Sequence, residues 1–282
     1  MKLNYKKWGM VALSAFLWMA DASAQLTLVK DGKAVSRIVL SEKSEINRQA
    51  ADLLQDFVQR ISGASLPIVE GKAKSGDVVI GGKSAEAGED GFTLCTEQNQ
   101  LRITSGGDKG SIYGVVTLLE KYMGVSYYAY QAYTLTPSKT ITLPEIHLSE
   151  TPAFRYRQSF SYGCDDPIYK MWFRLEEPNE VFIDKMWVHT FDRLMPSEVY
   201  GKEHPEYYSY INGEHRPGNH SQWCLTNPDV YDFVVKKLDS VFKANPDKKL
   251  ISVSQNDGNN TLCTCENRRT VYEEEGSPAG AY

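Results

Sequence analysis

The sequence predicts an α/β protein in two parts, a small α+β domain over residues 25–149 and the first part of a (β/α)8 TIM barrel over residues 150–282. Three observations predict this. Short β runs alternate with two amphipathic helices as far as about His147. A Thr-, Pro- and Ser-rich stretch from Thr134 to Pro144, followed by Glu150-Thr151-Pro152, then breaks the pattern. Beyond it, strand-like and helix-like segments alternate again.

Residues 1–24 precede the first of these elements. They carry Lys2, Lys6 and Lys7, an apolar stretch from Trp8 to Ala20, and Ala22-Ser23-Ala24. A basic start, a short apolar segment and a small-x-small triplet predict a secretory signal peptide cleaved after Ala24, because the apolar segment is shorter than the roughly 20 residues that cross a bilayer. The mature chain is then expected to be exported, to the periplasm or the cell surface, with no membrane span.

In the first domain, strands are predicted at 37–40, 66–69, 77–80, 92–96 and 101–105, the last two joined as a hairpin by Glu97-Gln98-Asn99. Ile46, Ala50, Leu53, Leu54, Phe57, Val58 and Ile61 recur at three- and four-residue intervals and put one apolar stripe on a helix that Gly63 ends. A second helix spans Gly110–Met123 and stops at Gly124. In the second part the expected order is a strand at 154–160, a helical turn near 168–173, a strand at 185–191, a long aromatic loop, a helix at 229–244 and a strand at 250–254. Asn227 caps that helix, Pro228 suits its first turn, and Val230, Phe233, Val234, Leu238, Val241 and Phe242 form its apolar face. A complete barrel of this kind takes about 250 residues. The expectation is therefore a barrel that stops midway, either truncated or completed by a partner.

Composition narrows the function. Lys+Arg 31 against Asp+Glu 36 gives a net charge of −5, with no basic surplus to neutralise a phosphate backbone, so nucleic acid is not an expected partner. There is no Gly-x-Ser-x-Gly elbow, His-Glu-x-x-His helix, Gly-x-x-x-x-Gly-Lys-Ser/Thr phosphate loop or Gly-x-Gly-x-x-Gly turn. The five cysteines, Cys95, Cys164, Cys224, Cys263 and Cys265, are read as mostly reduced and structural. Cys263-x-Cys265 lacks the spacing of a structural zinc pair, and neither a metal nor another cofactor is expected.

Three stretches carry candidate chemistry. Asp257 follows the strand predicted at 250–254, beside Gln255 and Asn256, where a barrel presents its catalytic groups; Asn256-Asp257-Gly258 also reads as a plain turn. Glu275, at the end of Glu273-Glu274-Glu275, is read as preceding a helix start, and is either a general acid with a pKa raised by burial or part of a solvated charged face. The loop from Tyr200 to Trp223 holds flat aromatic faces, Tyr207, Tyr208, Tyr210 and Trp223, suited to pyranose rings, with His189, Asp192, Arg193 and His204 as hydrogen-bonding groups. His189, His204, Tyr207 and Trp223 are the chosen contacts there, against the alternative that these side chains pack the loop internally. Arg157 either reaches the substrate or forms an interior ion pair.

Asp90-Gly91-Phe92-Thr93-Leu94, Leu101-Arg102-Ile103-Thr104 and the run Gly110–Leu119 resemble the small α/β domain that precedes the barrel in family 20 β-hexosaminidases and in α-glucuronidases. His204-Pro205-Glu206-Tyr207-Tyr208, Cys224-Leu225-Thr226-Asn227-Pro228 and Ser252-Val253-Ser254-Gln255-Asn256-Asp257 resemble the family DUF4838, associated with glycoside hydrolase family 163. The resemblance implies an exported, Bacteroides-type enzyme acting on β-N-acetylglucosamine linkages, with endo cleavage in the core of complex N-glycans and a glycan or glycoprotein as substrate. For such substrates the 2-acetamido oxygen can attack the anomeric carbon while Asp257 orients the amide. That family tends to have a third Cys after Cys-x-Cys, whereas here Arg268 follows, which weakens any shared metal site. Other expectations are a noncatalytic glycan-binding or inactive remnant, and an α-glucuronidase-like hydrolase.

Overall fold

A computed structural model describes residues 25–107, 109–177, 181–258 and 261–277. The predicted signal peptide lies outside the described residues, and no helix among these is long and apolar enough to cross a membrane. The chain divides into two compact units. The first comprises residues 25–155 together with Asp165–Trp172, and the second Tyr156–Cys164 together with the chain from Phe173 onward.

Unit 1 is built on a six-stranded sheet in the order β11-β6-β7-β5-β3-β4. The strands β3 (Ile38–Leu40), β4 (Ile68–Glu70), β5 (Val78–Lys83) and β7 (Gln100–Ser105) run parallel, with Ile38 opposite both Ile68 and Val78. Val78, Val79 and Ile80 are all buried, the continuous apolar run expected of a strand covered on both faces. The predicted hairpin is present: β6 (Phe92–Glu97) pairs antiparallel with β7 from Phe92↔Ser105 to Glu97↔Gln100, and β11 (His147–Glu150) adds to its other side. A three-stranded sheet of β1 (Leu26–Lys30), β2 (Lys33–Ala34) and β10 (Ile141–Leu143), and a pair β8 (Val125–Ala129) and β9 (Ala132–Leu135), complete the strands of unit 1.

Both predicted helices form and pack on one another and on this sheet. Helix α1 (Glu45–Ser62) starts where the Ser44 hydroxyl accepts from Asn47 N at 3.0 Å and ends at Gly63, whose φ of 82° only glycine adopts without strain. Helix α2 (Gly110–Tyr122) starts at a glycine because a Cβ there would come within 2.0 Å of the Gly91 carbonyl oxygen. Helix α3 (Pro167–Phe173) carries Trp172, which stacks on Tyr127 at 5.1 Å and donates from Nε1 to Glu120 at 2.6 Å.

Unit 2 departs from the predicted barrel. The segment expected as a strand at 154–160 is not one; Phe154 and Phe160 are 75% and 76% exposed, and without a neighbouring strand an extended backbone has no ladder to join. The strand expected at 185–191 is replaced by a 3-10 turn at Ile183–Lys185 and a short helix α4 (Phe191–Leu194), because Asp184, Lys185 and His189 all have positive φ. The strand expected at 250–254 survives only as a parallel bridge, Leu250 to Phe182, and separate backbone bonds, among them Ile183 N to Leu250 O at 2.8 Å and Ser252 N to Met186 O at 2.9 Å. The named strands of unit 2 are the short pair β12 (Tyr210–Ile211) and β13 (Glu214–His215). The described residues therefore hold no barrel sheet.

What unit 2 does hold is an apolar core of Ile183, Met186, Phe191, Tyr208, Trp223 and Val230 with their neighbours. The predicted helix is present as α6 (Pro228–Ala244), with the Asn227 side chain accepting from Asp229 N at 2.9 Å; α5 (Ser197–Tyr200) precedes it and α7 (Glu266–Glu275) follows. Of its predicted apolar face, Val230 and Val234 are buried, Phe233, Leu238 and Val241 pack partly, and Phe242 is exposed.

Candidate active site

The loop regions of unit 2 meet at Asn256. This side chain is 2% exposed and fully engaged: Nδ2 donates to Asp192 Oδ1 at 2.9 Å and to the Ser221 carbonyl at 2.8 Å, while Oδ1 accepts from Asp192 N at 3.4 Å. Gln222, also buried, clamps the backbone of the same residue, accepting from Asn256 N at 3.1 Å and donating to its carbonyl at 2.6 Å. Buried amides satisfied on every side hold one geometry, since each lost bond leaves a desolvated group.

A carboxylate and an imidazole sit on each side of this hub. Asp192 Oδ2 accepts from His220 N at 3.2 Å and faces His220 Nδ1 at 3.5 Å. Asp257, next to Asn256, faces His189 Nε2 at 3.2 Å through Oδ2, and the other ring nitrogen of His189, Nδ1, lies 3.0 Å from the Gln255 carbonyl oxygen. A carbonyl oxygen can only accept, so Nδ1 carries a hydrogen. Nε2 is then the ring nitrogen that faces the Asp257 carboxyl, and the Asp257 side chain is 88% exposed, so the pair opens to solvent.

The Thr190 hydroxyl fixes the neighbouring backbone. It donates to Ser252 O at 2.8 Å and accepts from Ser254 N at 2.9 Å, doing with a side chain what the expected parallel ladder would have done with main chain. Thr190 N adds a bond to Ser254 O at 3.0 Å. These contacts carry the chain from the 182–190 segment to the hub.

The other sequence-predicted residues fall elsewhere or in other roles. Trp223 is 1% exposed and its ring is stacked on Phe191 at 3.8 Å and 5°, so that face belongs to the core and does not offer a platform to a sugar. Its buried indole nitrogen has no hydrogen-bond partner among the described residues. His204 and Tyr207 stack on one another at 4.5 Å, and His204 Nδ1 meets Glu206 Oε1 at 3.0 Å; the amide of Glu206 itself and then the His204 ring hold the Glu206 carboxyl below its usual range. Both are half-buried. Arg157 forms the interior ion pair that was its alternative reading, Nη2 to Glu176 Oε1 at 2.7 Å, and donates from Nε to Arg174 O at 2.6 Å. Glu275 is exposed and is the last residue of α7 rather than the residue before a helix start, so the burial on which an acid role depended is missing. Gln255 is exposed beside Asp257 and takes part through its carbonyl.

Sequence reading passed over His220 and Gln222. They lie more than thirty positions from Asn256 along the chain, and no local pattern marks them. It expected no metal at Cys263-x-Cys265, with Cys224 as the only other nearby candidate in sequence, and the three sulfurs converge. Cys224 Sγ is 3.7 Å from Cys263 Sγ and 3.7 Å from Cys265 Sγ, and all three lie within 4.8 Å of one another. The contact with the Cys224 sulfur and then the amide of Tyr210 lower the Cys263 pKa despite burial. In unit 1, clefts of 360 and 340 Å³ are lined by residues such as Ser44, Lys83 and Ser111, and Tyr122, Gly124 and Thr136, and include none of the predicted site residues.

The family described as a domain of unknown function, DUF4838, matches residues 127–282, more than half of the sequence. The chain belongs to the DUF4838 family. Ahead of the DUF4838 segment, residues 24–123 match glycosyl hydrolase family 20, domain 2, which corresponds to most of unit 1. No curated protein matches the chain. Among solved structures, a mutant Streptomyces plicatus β-hexosaminidase in complex with its product GlcNAc shares 16% identity over 48% of this chain and 25% of its own, at a TM-score of 0.36. The Vibrio harveyi family 20 exo-β-N-acetylglucosaminidase with N-acetylglucosamine gives 18%, 47%, 18% and 0.32 in the same terms. A family 115 4-O-methyl-α-glucuronidase with specificity for decorated arabinogalactans gives 16%, 46%, 19% and 0.37. This chain thus spans a quarter or less of each, a likeness too slight to bear on what the DUF4838 segment does.

Proposed function

We propose that the protein is a glycoside hydrolase acting on glycans that contain β-linked N-acetylglucosamine, with complex N-glycans of glycoproteins as substrate and endo cleavage as the reaction. The observation that carries the reading is the pair of carboxylate–imidazole contacts held on either side of one buried asparagine, in a chain that joins a family 20 domain 2 to a DUF4838 segment. Glycosidic cleavage needs two such groups, one to stabilise or attack the anomeric centre and one to protonate the leaving oxygen. In this reading the Asp257 carboxylate, aimed by its contact with the His189 ring, accepts a hydrogen bond from the substrate's acetamide N–H. The acetamide oxygen then attacks the anomeric carbon and forms a cyclic intermediate that water opens with retention. The proton for the leaving oxygen comes from the Asp192–His220 pair, in place of Glu275. The protein acts outside the cytoplasm, after loss of its first 24 residues.

A second reading, a glycan-binding protein without hydrolysis, draws support from the exposed position of Glu275 and the absence of a barrel sheet among the described residues. Incubating the purified protein with a complex N-glycoprotein and profiling the released glycans separates the two. Release of glycans supports the hydrolase; saturable binding without release supports the second reading and removes the first.

A further inference from the structure

The cysteine cluster of unit 2 has no part in the glycosidase reading, and its geometry points to a ligand of its own. Four-coordinate zinc binds thiolate sulfur at about 2.3 Å, so two sulfurs on one tetrahedral ion stand about 3.8 Å apart. Two sulfur pairs here, Cys224–Cys263 and Cys224–Cys265, are each 3.7 Å apart. A disulfide would need about 2.0 Å, and all five cysteines are free. The fourth direction is also polar: Thr226 Oγ1 lies 3.6 Å from Cys265 Sγ and 3.7 Å from Cys224 Sγ. On the opposite flank the Tyr210 amide points at Cys263 Sγ, N to S 3.3 Å, the kind of outer hydrogen bond that orients a metal ligand. Cys224 and Cys263 are buried, so the cluster is enclosed as structural metal sites are.

We infer that Cys224, Cys263 and Cys265 form a three-thiolate site for a thiophilic divalent ion of the zinc class, completed by a water held against the Thr226 hydroxyl. The site accounts for a Cys-x-Cys spacing that is too short for a pair to act alone. The third ligand comes from a segment 39 positions away in sequence, ahead of α6. Each thiol that ligates gives up its proton to solvent, and no electron is transferred. The ion ties Cys224 to the start of α7, for which Cys265 is the N-cap residue. Gln222 and Trp223 immediately precede Cys224, and Gln222 grips Asn256. The metal therefore braces the segment that holds the polar hub without touching the hub itself.

The test uses the full chain, purified under reducing conditions, stripped with chelator, loaded with zinc and freed of excess metal. The expected result is about one zinc per chain by elemental analysis, and, on replacement by cobalt, an intense sulfur-to-metal charge-transfer band with the strong visible bands of a tetrahedral site. Cys224→Ser, Cys263→Ser and Cys265→Ser are each expected to weaken retention at least about 10-fold, while Cys95→Ser and Cys164→Ser leave it unchanged. Because a serine variant can fail to fold, the charge-transfer intensity of the unmutated protein supplies an independent thiolate count. Substoichiometric zinc, a cobalt spectrum without sulfur charge transfer, or an intact mass lower by two hydrogens under the same reducing conditions would overturn the proposal.

Discussion

Unit 1 and unit 2 satisfy their buried backbone in opposite ways. In unit 1 the sheet does it: six strands in register leave side chains free to be apolar, and two helices cover them. In unit 2 side chains do it: Thr190 replaces a ladder bond, Gln222 clamps Asn256 at both its N–H and its carbonyl, and a cysteine sulfur accepts from the Tyr210 amide. Regular pairing makes a rigid carrier with few polar groups to spare. Irregular pairing concentrates oriented polar groups in a small volume, which is what the proposed chemistry on a sugar would use. The difference also separates what each unit tolerates.

The largest effects are expected in the two aromatic cores. Phe57→Ala in unit 1 and Trp223→Ala in unit 2 each empty a fully buried site and should cost about 3–5 kcal/mol. Hydrogen exchange followed by mass spectrometry would show the loss of protection concentrated in the mutated unit. If Trp223→Ala left unit 2 protected, the stacked pair with Phe191 would not be its centre. Next in size is polar satisfaction. Asn256→Ala removes the donor that meets Asp192 Oδ1 and the Ser221 carbonyl and should cost about 1–3 kcal/mol for each oxygen left unsatisfied. Ser44→Ala, which removes only an N-cap from α1, should cost about 1 kcal/mol. Equal costs in denaturant titrations would erase the contrast between the units.

The smallest effect is the acid dependence of the Arg37–Asp77 pair in unit 1. Burial alone would raise the Asp77 carboxyl, but the Arg37 guanidinium and the Lys74 amide outweigh it and hold the group below its usual range. A lowered folded-state value means that the stabilisation is fully present above the unfolded value, near about 3.9, and is lost as pH falls through the lower folded one. Melting temperatures of the unmutated protein and Asp77→Asn should therefore differ at neutral pH and converge in acid. A constant gap across that range would contradict the assignment.

The contrast also explains what was legible in the sequence. Apolar periodicity reports regular structure, so α1, α2, α6 and the 92–105 hairpin were readable from the spacing of Leu54, Phe57 and Val58, from Gly63 and from the Asn227-Pro228 cap. The same rule misread 154–160 and 185–191, where a β-like pattern meets no partner strand and where positive φ at Asp184, Lys185 and His189 prevents extension. Trp223 looked like a sugar platform because composition records that a ring is present but not which face is covered. Asp257 and Asn256 stood out beside an apolar segment. Asp192 stood among the hydrogen-bonding candidates, but its partner His220 and the clamp Gln222 come from another loop and leave no local signature.

The central claim is that sugar chemistry belongs to Asp257 at the Asn256 hub rather than to the exposed glutamates of α7. The most direct measurement compares glycan release from a complex N-glycoprotein by Asp257→Asn and by Glu275→Gln, with near-ultraviolet circular dichroism to confirm that both are folded. The account predicts a fall of about 10²–10⁴-fold for Asp257→Asn and an essentially unchanged rate for Glu275→Gln. Release that survives Asp257→Asn, or that collapses only in Glu275→Gln, would contradict it.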